Sequence, residues 1–154
     1  MKDNIVLIGM PGVGKSTVGV ILAKMIGYQF TDADLLIQKQ EGKLLHEIIA
    51  ENGTDGFIEI EERVNASIEA SHTIIATGGS VVYGKKAMEH LSRIGTVVYL
   101  KVPYDTLEKR LEDIKGRGVV LKEGQTLRTL YDERTPLYEK YADIEISEDG
   151  LNVE

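Results

Sequence analysis

Residues 9–17 read Gly-Met-Pro-Gly-Val-Gly-Lys-Ser-Thr, and the prediction of the fold begins from this segment. It follows a short apolar run, Ile5 to Ile8, which predicts a buried strand. It precedes an amphipathic segment, Val18 to Ile26, which predicts a helix. Glycines in the loop let the backbone approach a ligand closely, so that N–H groups of the loop and of the first helical turn point at a phosphate chain. A strand, a glycine-rich loop and a helix in this order form the context of a P-loop.

A P-loop assigns chemistry to particular side chains. Lys15, at what we expect to be an exposed helix start, can reach the β- and γ-phosphates of ATP. The Ser16 hydroxyl can ligate Mg²⁺. We therefore predict that six consecutive residues bind ATP: Gly12, Val13, Gly14, Lys15, Ser16 and Thr17.

Length and charge limit the possible classes of function. The chain has 154 residues, enough for one domain, and a formal net charge of −7 from 25 acids and 18 bases. An acidic protein has no general attraction to nucleic acid or to an anionic membrane, so we expect neither as a partner. The absence of cysteine excludes disulfides and a thiol nucleophile. Without a leader pattern or an apolar run of about 18 residues, the chain is expected to be cytoplasmic, and we expect a monomer.

Predicted strands and helices alternate along the chain. Strands are expected at Asn4–Ile8, Tyr28–Thr31, His72–Ala76, Thr96–Val102 and Asp143–Ser147. Helical spacing is found at Val18–Ile26, Leu35–Gln40, Leu44–Ile49, Phe57–Ile68, Lys86–Arg93, Pro103–Ile114 and Gln125–Tyr141. Pro136 is expected to break or kink the last helix, and residues 115–124, with three glycines, are expected to form a mobile loop. The alternation predicts an α/β fold, a parallel sheet covered by helices on both faces.

Three segments are expected to meet at one edge of this sheet. The P-loop follows the first strand, Asp32 and Asp34 follow the second, and Gly78 and Gly79 follow the third. Ligands of such sheets bind beyond the carboxyl ends of the strands. A plainer interpretation is that Asp32 only caps the next helix and that the glycine pair is an ordinary turn.

These segments together resemble the shikimate kinases, which have a P-loop nucleoside-monophosphate-kinase-like fold. The resemblance rests on Gly9 to Thr17, Phe30 to Asp34, Phe57 with Glu61, Ala76 to Gly79, Arg117, and Arg134 to Tyr138. It implies a single three-layer P-loop kinase domain over residues 1–154 with a five-stranded parallel sheet. It also implies a substrate-binding region near residues 33–61 and a lid near residues 112–124. The implied activity is ATP-dependent phosphorylation of shikimate to shikimate 3-phosphate.

The resemblance also implies roles for single residues. Asp32 would assist Mg²⁺, held by Ser16, through a water molecule, and Asp34 would accept a hydrogen bond from the acceptor hydroxyl as the catalytic base. Gly78 and Gly79 would offer backbone N–H groups to the acceptor. Two arginines complete the set: Arg117 of the lid would meet the phosphates, and Arg134 would bind the acceptor carboxylate.

The chain departs from the family pattern at three places. The family reads Phe-Arg-x-x-Glu where this chain has Ile58 after the phenylalanine, so one arginine that grips the carboxylate is missing. The family's third glycine is Ser80, and its Arg-Pro-Leu in the lid becomes Arg-Gly-Val at residues 117–119. Arg63 cannot replace the lost arginine, because it lies about 140° round the helix from position 58. A kinase for another hydroxyl-bearing metabolite therefore stays open.

The sequence allows a second interpretation for the role of each of three arginines, and also for the class of protein. Arg110 is expected at the adenine of ATP, although a position on a solvated helix face would fit its spacing equally well. Arg117 could be a solvated loop charge, and Arg134 could be a surface helix residue. A nucleotide-dependent switch is a different class of protein, although the chain contains no Asn-Lys-x-Asp sequence for guanine.

Overall fold

The computed structural model describes residues 2–112 and 126–147. Its strands are β1 (Asn4–Ile8), β2 (Gln29–Asp32), β3 (Thr73–Ala76), β4 (Gly95–Lys101) and β5 (Ile144–Ser147). Its α-helices are α1 (Lys15–Ile26), α2 (Ala33–Glu41), α3 (Leu45–Ala66), α4 (Lys85–Ile94), α5 (Tyr104–Glu112) and α6 (Leu127–Tyr141). A short 3₁₀ turn, Val81–Tyr83, precedes α4.

The strands form one parallel sheet in the order β2-β3-β1-β4-β5. In the register of the two central pairings, Leu7 of β1 lies opposite Ala76 of β3 and Val98 of β4. All four residues of β3 are buried, as expected for a strand covered on both faces. The predicted α/β fold with a parallel, five-stranded sheet is confirmed. Because the strands are parallel, the segments that follow β1, β2 and β3 leave the sheet at the same edge.

Two helices differ in detail from the prediction. The two helical segments expected on either side of residue 53 lie within α3, where Gly53 has non-helical angles, φ 73° and ψ 175°. This left-handed region is open to glycine, so the chain turns there between the two segments. Of the break or kink expected at Pro136, the break is wrong, since α6 continues through the proline. Buried side chains on both sides of the proline, Leu130 and Tyr138, hold the helix against the core.

A separate small core fixes the helices beside the site. Ile37 of α2 packs with Ile48, Phe57 and Val64 of α3, and all four are buried. This cluster joins α2, which carries Asp34, to the second half of α3. In the part of the chain that the structure describes, no helix combines the length and apolar character needed to cross a membrane.

Candidate active site

The P-loop connects β1 to α1, and its lysine is held by the loop itself. Lys15 Nζ donates hydrogen bonds to Gly9 O at 2.6 Å and to Met10 O at 3.0 Å. The side chain is buried, with the residue only 8% exposed, so the expectation of an exposed lysine is wrong. The two carbonyl groups offset the cost of this burial, because they accept hydrogen bonds from the ammonium group inside the loop. The positive charge is thereby kept where phosphates would bind.

Ser16 and Asp32 meet at the same end of the sheet. Ser16 Oγ donates to Asp32 Oδ2 at 3.1 Å. The second oxygen, Asp32 Oδ1, accepts from the backbone N–H groups of Asp34 at 2.9 Å and Leu35 at 3.2 Å. Asp32 is therefore the N-cap of α2, as the plainer interpretation predicted, and it also contacts the P-loop serine.

One cleft contains the predicted donor and acceptor residues. It is lined by the P-loop together with the residues that follow β2 and β3: Pro11, Gly12, Gly14, Lys15, Ser16, Thr17, Asp32, Asp34, Leu45, Thr77, Gly78 and Gly79. A smaller pocket continues from it, lined by Pro11, Asp34, Leu45, Phe57, Glu61, Gly78, Gly79, Ser80 and Arg134. We call this smaller space the acceptor pocket. The cleft and the acceptor pocket share Asp34 and the glycine pair, so a molecule in each would meet at Asp34.

Gly78 makes room for two carboxyl groups. A Cβ atom at this position would lie 2.7 Å from Asp34 Oδ1 and 2.7 Å from Glu61 Oε2. Gly79 is equally confined, because its Cβ would lie 2.7 Å from Pro11 Cδ and 3.0 Å from Arg134 Nη1. The glycine pair is thus a tightly packed wall of the acceptor pocket and more than an ordinary turn.

Arg134 lies inside the protein, at the acceptor pocket. The residue is 1% exposed, so its interpretation as a surface helix residue is wrong. Its Nε donates to Tyr83 Oη at 3.4 Å, and its guanidinium carbon lies 5.3 Å from the centre of the Tyr83 ring. Tyr138, one turn further along α6, donates its hydroxyl to Gly79 O at 2.5 Å. Burial raises the pKa of the Tyr138 hydroxyl, which keeps it a neutral donor. These two tyrosines hold the arginine and the glycine wall together, and neither role was predicted from the sequence.

Glu61 is the buried acid of the acceptor pocket. It is 1% exposed, and its Oε1 accepts a hydrogen bond from Ser80 Oγ at 2.6 Å. Burial raises the pKa of the Glu61 carboxyl to about 7, and the nearby Asp34 adds to the rise. The Ser80 hydrogen bond and the charges of Arg134 and Lys15 act in the opposite direction. The Phe-x-x-x-Glu spacing had indicated Glu61, whereas Ser80 was predicted to matter only as a missing glycine.

The remaining predicted residues differ in how close to the site they lie. Arg110 Nη1 donates to Gly12 O at 3.3 Å, which brings this side chain to the P-loop. Ile58 is partly buried on α3, and the neighbouring Arg63 instead pairs with Glu41 through Nη2 at 3.2 Å. Arg117, the lid and the expected mobile loop lie outside the described residues.

Comparison with known proteins agrees with this geometry. The family model described as shikimate kinase matches residues 11–154. The chain belongs to the shikimate kinase family. The family prediction is confirmed, and so is the class of enzyme, a phosphotransferase with an alcohol group as acceptor.

Relatives of the shikimate kinase family cover nearly the whole chain. The shikimate kinase of Clostridium botulinum is 43% identical over 143 residues, which are 90% of this chain and 84% of the relative. The shikimate kinase of Persephonella marina is 34% identical over 96% of this chain and 90% of its own length. Among solved structures, the shikimate kinase from Acinetobacter baumannii in complex with shikimate is 34% identical, with a TM-score of 0.84 and coverage of 95% and 83% of the two chains.

Proposed function

We propose that this protein transfers the γ-phosphoryl group of ATP to a hydroxyl group of shikimate, giving ADP and shikimate 3-phosphate. The observation that carries the proposal is the shared position of Asp34. This carboxyl group lines both the cleft beside Lys15 and Ser16 and the acceptor pocket beside Arg134. Phosphoryl transfer mainly requires this kind of positioning, together with charge that neutralises the γ-phosphoryl oxygens.

The donor half of the site is the P-loop. Its backbone N–H groups and Lys15 would bind the phosphates through the residues predicted for ATP. Ser16 Oγ and Asp32 Oδ2 are oxygen ligands that line the cleft 3.1 Å apart, which is the donor chemistry that Mg²⁺ prefers. When bound, Mg²⁺ neutralises charge on the phosphate oxygens. Asp32 keeps its second oxygen on the α2 backbone, so this ligand would be held in a fixed orientation.

The acceptor half of the site consists of Asp34, the glycine wall and Arg134. Asp34 would accept the proton of the attacking hydroxyl, for which a carboxylate near the reacting oxygen is suited. Arg134 would bind the acceptor carboxylate, since a guanidinium fits a carboxylate with two parallel hydrogen bonds. The Gly78 and Gly79 N–H groups would contact the acceptor hydroxyls. In this assignment the acceptor is held between the base and the arginine.

Further parts of the proposal rest on the family and on the sequence. We assign the region near residues 33–61 to acceptor binding through the side chains that line the acceptor pocket, Asp34, Leu45, Phe57 and Glu61. We assign residues 112–124 to a lid that brings Arg117 to the phosphates and excludes water from the reaction. Arg110, beside Gly12, is assigned to the nucleotide. The protein is proposed to act as a monomer in the cytoplasm, with one domain over residues 1–154.

The test is a direct assay of both products. ADP formation is measured with purified protein, ATP and Mg²⁺, with and without shikimate, and the phosphorylated acceptor is identified by mass spectrometry. We expect ADP and shikimate 3-phosphate in equal amounts, with little ADP when shikimate is omitted. A sugar acid and an amino alcohol serve as comparison acceptors. Turnover of one of these without turnover of shikimate would contradict the proposal.

A further inference from the structure

Of the two carboxyl oxygens of Glu61, one has a hydrogen-bond partner and the other has none among the described residues. Oε1 accepts from Ser80 Oγ at 2.6 Å. Oε2 is buried and has no hydrogen-bond partner among the described residues. Buried polar atoms in folded proteins rarely lack a hydrogen-bond partner, and those that do are often found where a ligand binds or a functional group acts. Oε2 lies 2.7 Å from where a Gly78 Cβ would be, and both residues line the acceptor pocket.

The surroundings of Glu61 keep its protonated form populated up to about neutral pH. Burial raises its pKa to about 7, and the Asp34 carboxyl on α2 adds to the rise. Against them act the Ser80 hydroxyl, then Arg134 on α6 and Lys15 on α1. Ser80 donates a hydrogen bond to Oε1, so Oε1 acts as an acceptor. In a neutral carboxyl group the proton therefore belongs on Oε2. Asp34 and Glu61 then differ in kind: one accepts a hydrogen bond, and the other donates one.

We propose that Glu61, oriented by Ser80, determines acceptor specificity by donating a hydrogen bond from its protonated carboxyl group to an oxygen of the acceptor. This inference rests on the proposed function and adds to it a requirement on the acceptor. The acceptor must present a donating hydroxyl group to Asp34 and an accepting oxygen to Glu61. An ionised Glu61 has no proton to donate and repels an anionic acceptor. Binding of the acceptor is therefore coupled to binding of one proton.

The first test measures this coupling on the wild-type protein. Shikimate is titrated calorimetrically into protein saturated with MgADP, at pH 8, in buffers of different ionisation enthalpy. We expect uptake of about one proton per shikimate bound. The KM for shikimate at saturating ATP is expected to rise about tenfold between pH 6 and pH 8, because the binding-competent fraction falls by that factor.

Glu61→Gln separates this role from a structural one. The glutamine amide keeps the shape, accepts from Ser80 through its oxygen and donates from its nitrogen at every pH. We expect this variant to bind shikimate without proton uptake and to lose the rise in KM. Glu59→Gln, an exposed glutamate on the same helix, is the matched control and should retain the wild-type profile. In Ser80→Ala the loss of the hydrogen bond to Oε1 should move the midpoint of the KM profile to higher pH.

The outcomes distinguish this inference from the function on which it rests. If the wild-type protein forms no ADP with shikimate, the proposed function fails and this inference fails with it. If the protein is active but takes up no proton, the inference alone is overturned, and this result needs no variant to fold. A Glu61→Gln protein that retains the wild-type rise in KM would assign the titration to another group and overturn it as well. An unchanged midpoint in Ser80→Ala would overturn the role of Ser80.

Discussion

The Lys15 ammonium nitrogen lies 2.6 Å from the carbonyl oxygen of Gly9, six residues earlier in the same loop. The lysine that the proposed mechanism directs to the phosphates is therefore also a structural element of the P-loop. With its second acceptor, Met10 O, it ties the start of α1 to the end of β1. Its removal is expected to affect both chemistry and stability.

Lys15→Ala should abolish phosphoryl transfer and lower the free energy of unfolding by about 1–3 kcal/mol, because two backbone carbonyl groups lose a charged hydrogen-bond donor. The activity loss should exceed tenfold, because a charge preorganised at the transferred phosphoryl group contributes several kcal/mol. Turnover and chemical denaturation are measured on the same preparation. More than about a tenth of wild-type turnover would contradict the catalytic role.

Asp34→Asn should lower kcat by about a hundredfold or more while leaving the KM for ATP nearly unchanged. The reason is that Asp34 is assigned to the acceptor hydroxyl, whereas ATP is assigned to the P-loop. Steady-state kinetics with each substrate varied in turn would test this. Parallel losses in nucleotide affinity and turnover would instead show that Asp34 acts on Mg²⁺ or on folding.

Gly78→Ala should weaken acceptor binding by about tenfold, the usual cost of overpacking a tight site. The new Cβ would lie 2.7 Å from oxygens of both Asp34 and Glu61, so one carboxyl group must move. Nucleotide binding, measured by titration with MgADP, should stay close to that of wild type. A variant with normal acceptor KM would show that the Gly78 wall does not contact the acceptor.

Ile58→Arg should lower the KM for shikimate by about tenfold, because a charge-assisted hydrogen bond to the carboxylate is restored. Ile58→Met, which adds length without charge, is the matched control. If shikimate is not the acceptor, the new arginine would pair with Glu61 one turn along the helix, and native activity would fall. Kinetics on shikimate for the three proteins test the gain, and no shikimate activity in either the wild type or Ile58→Arg would contradict shikimate as the acceptor.

Glu61→Gln should be more stable than wild type at pH 8, and the advantage should shrink towards pH 4.5. The pKa of Glu61 is about 7 in the folded protein against an ordinary value of 4.5, so its contribution to stability is present at low pH and lost as the pH rises to about 7. The difference corresponds to roughly 3 kcal/mol. Thermal melts across this pH range, with Glu59→Gln as control, would test it. Equal pH dependence in all three proteins would contradict the shifted pKa.

The residues that could be predicted from the sequence are those fixed by local order. The P-loop, the Asp32 cap and the glycine pair each lie at or just after the end of a strand, and the parallel sheet brings these ends to one edge. Helix ends were predicted to within a few residues from the apolar spacing, as for Val18–Ile26 against the observed Lys15–Ile26. The sequence did not decide between a broken and a continuous α6 at Pro136, because the buried side chains that hold the helix on both sides of the proline act through tertiary packing.

The missed features join residues that are far apart in the chain. The Ser80–Glu61 hydrogen bond spans 19 positions, and the Tyr83–Arg134 contact spans 51. No periodicity or motif reports such a pair, because the contact exists only after α3, the 3₁₀ turn and α6 have packed together. The burial of Lys15 was missed for a different reason. The groups that accept hydrogen bonds from its ammonium group are backbone carbonyls, and these are present whatever the side chains are.

The two carboxylate oxygens of Asp32 have different partners, which limits the residues that can replace this aspartate during evolution. One oxygen closes the first turn of α2, and the second reaches Ser16. Asparagine retains a capping oxygen but exchanges the second oxygen for an amide nitrogen, and serine has a single oxygen for both positions. Glutamate has two oxygens, but it is not among the side chains that cap helices well. Two constraints are therefore expected to preserve aspartate at this position, the cap of α2 and the hydrogen bond from Ser16, and neither alone would require it.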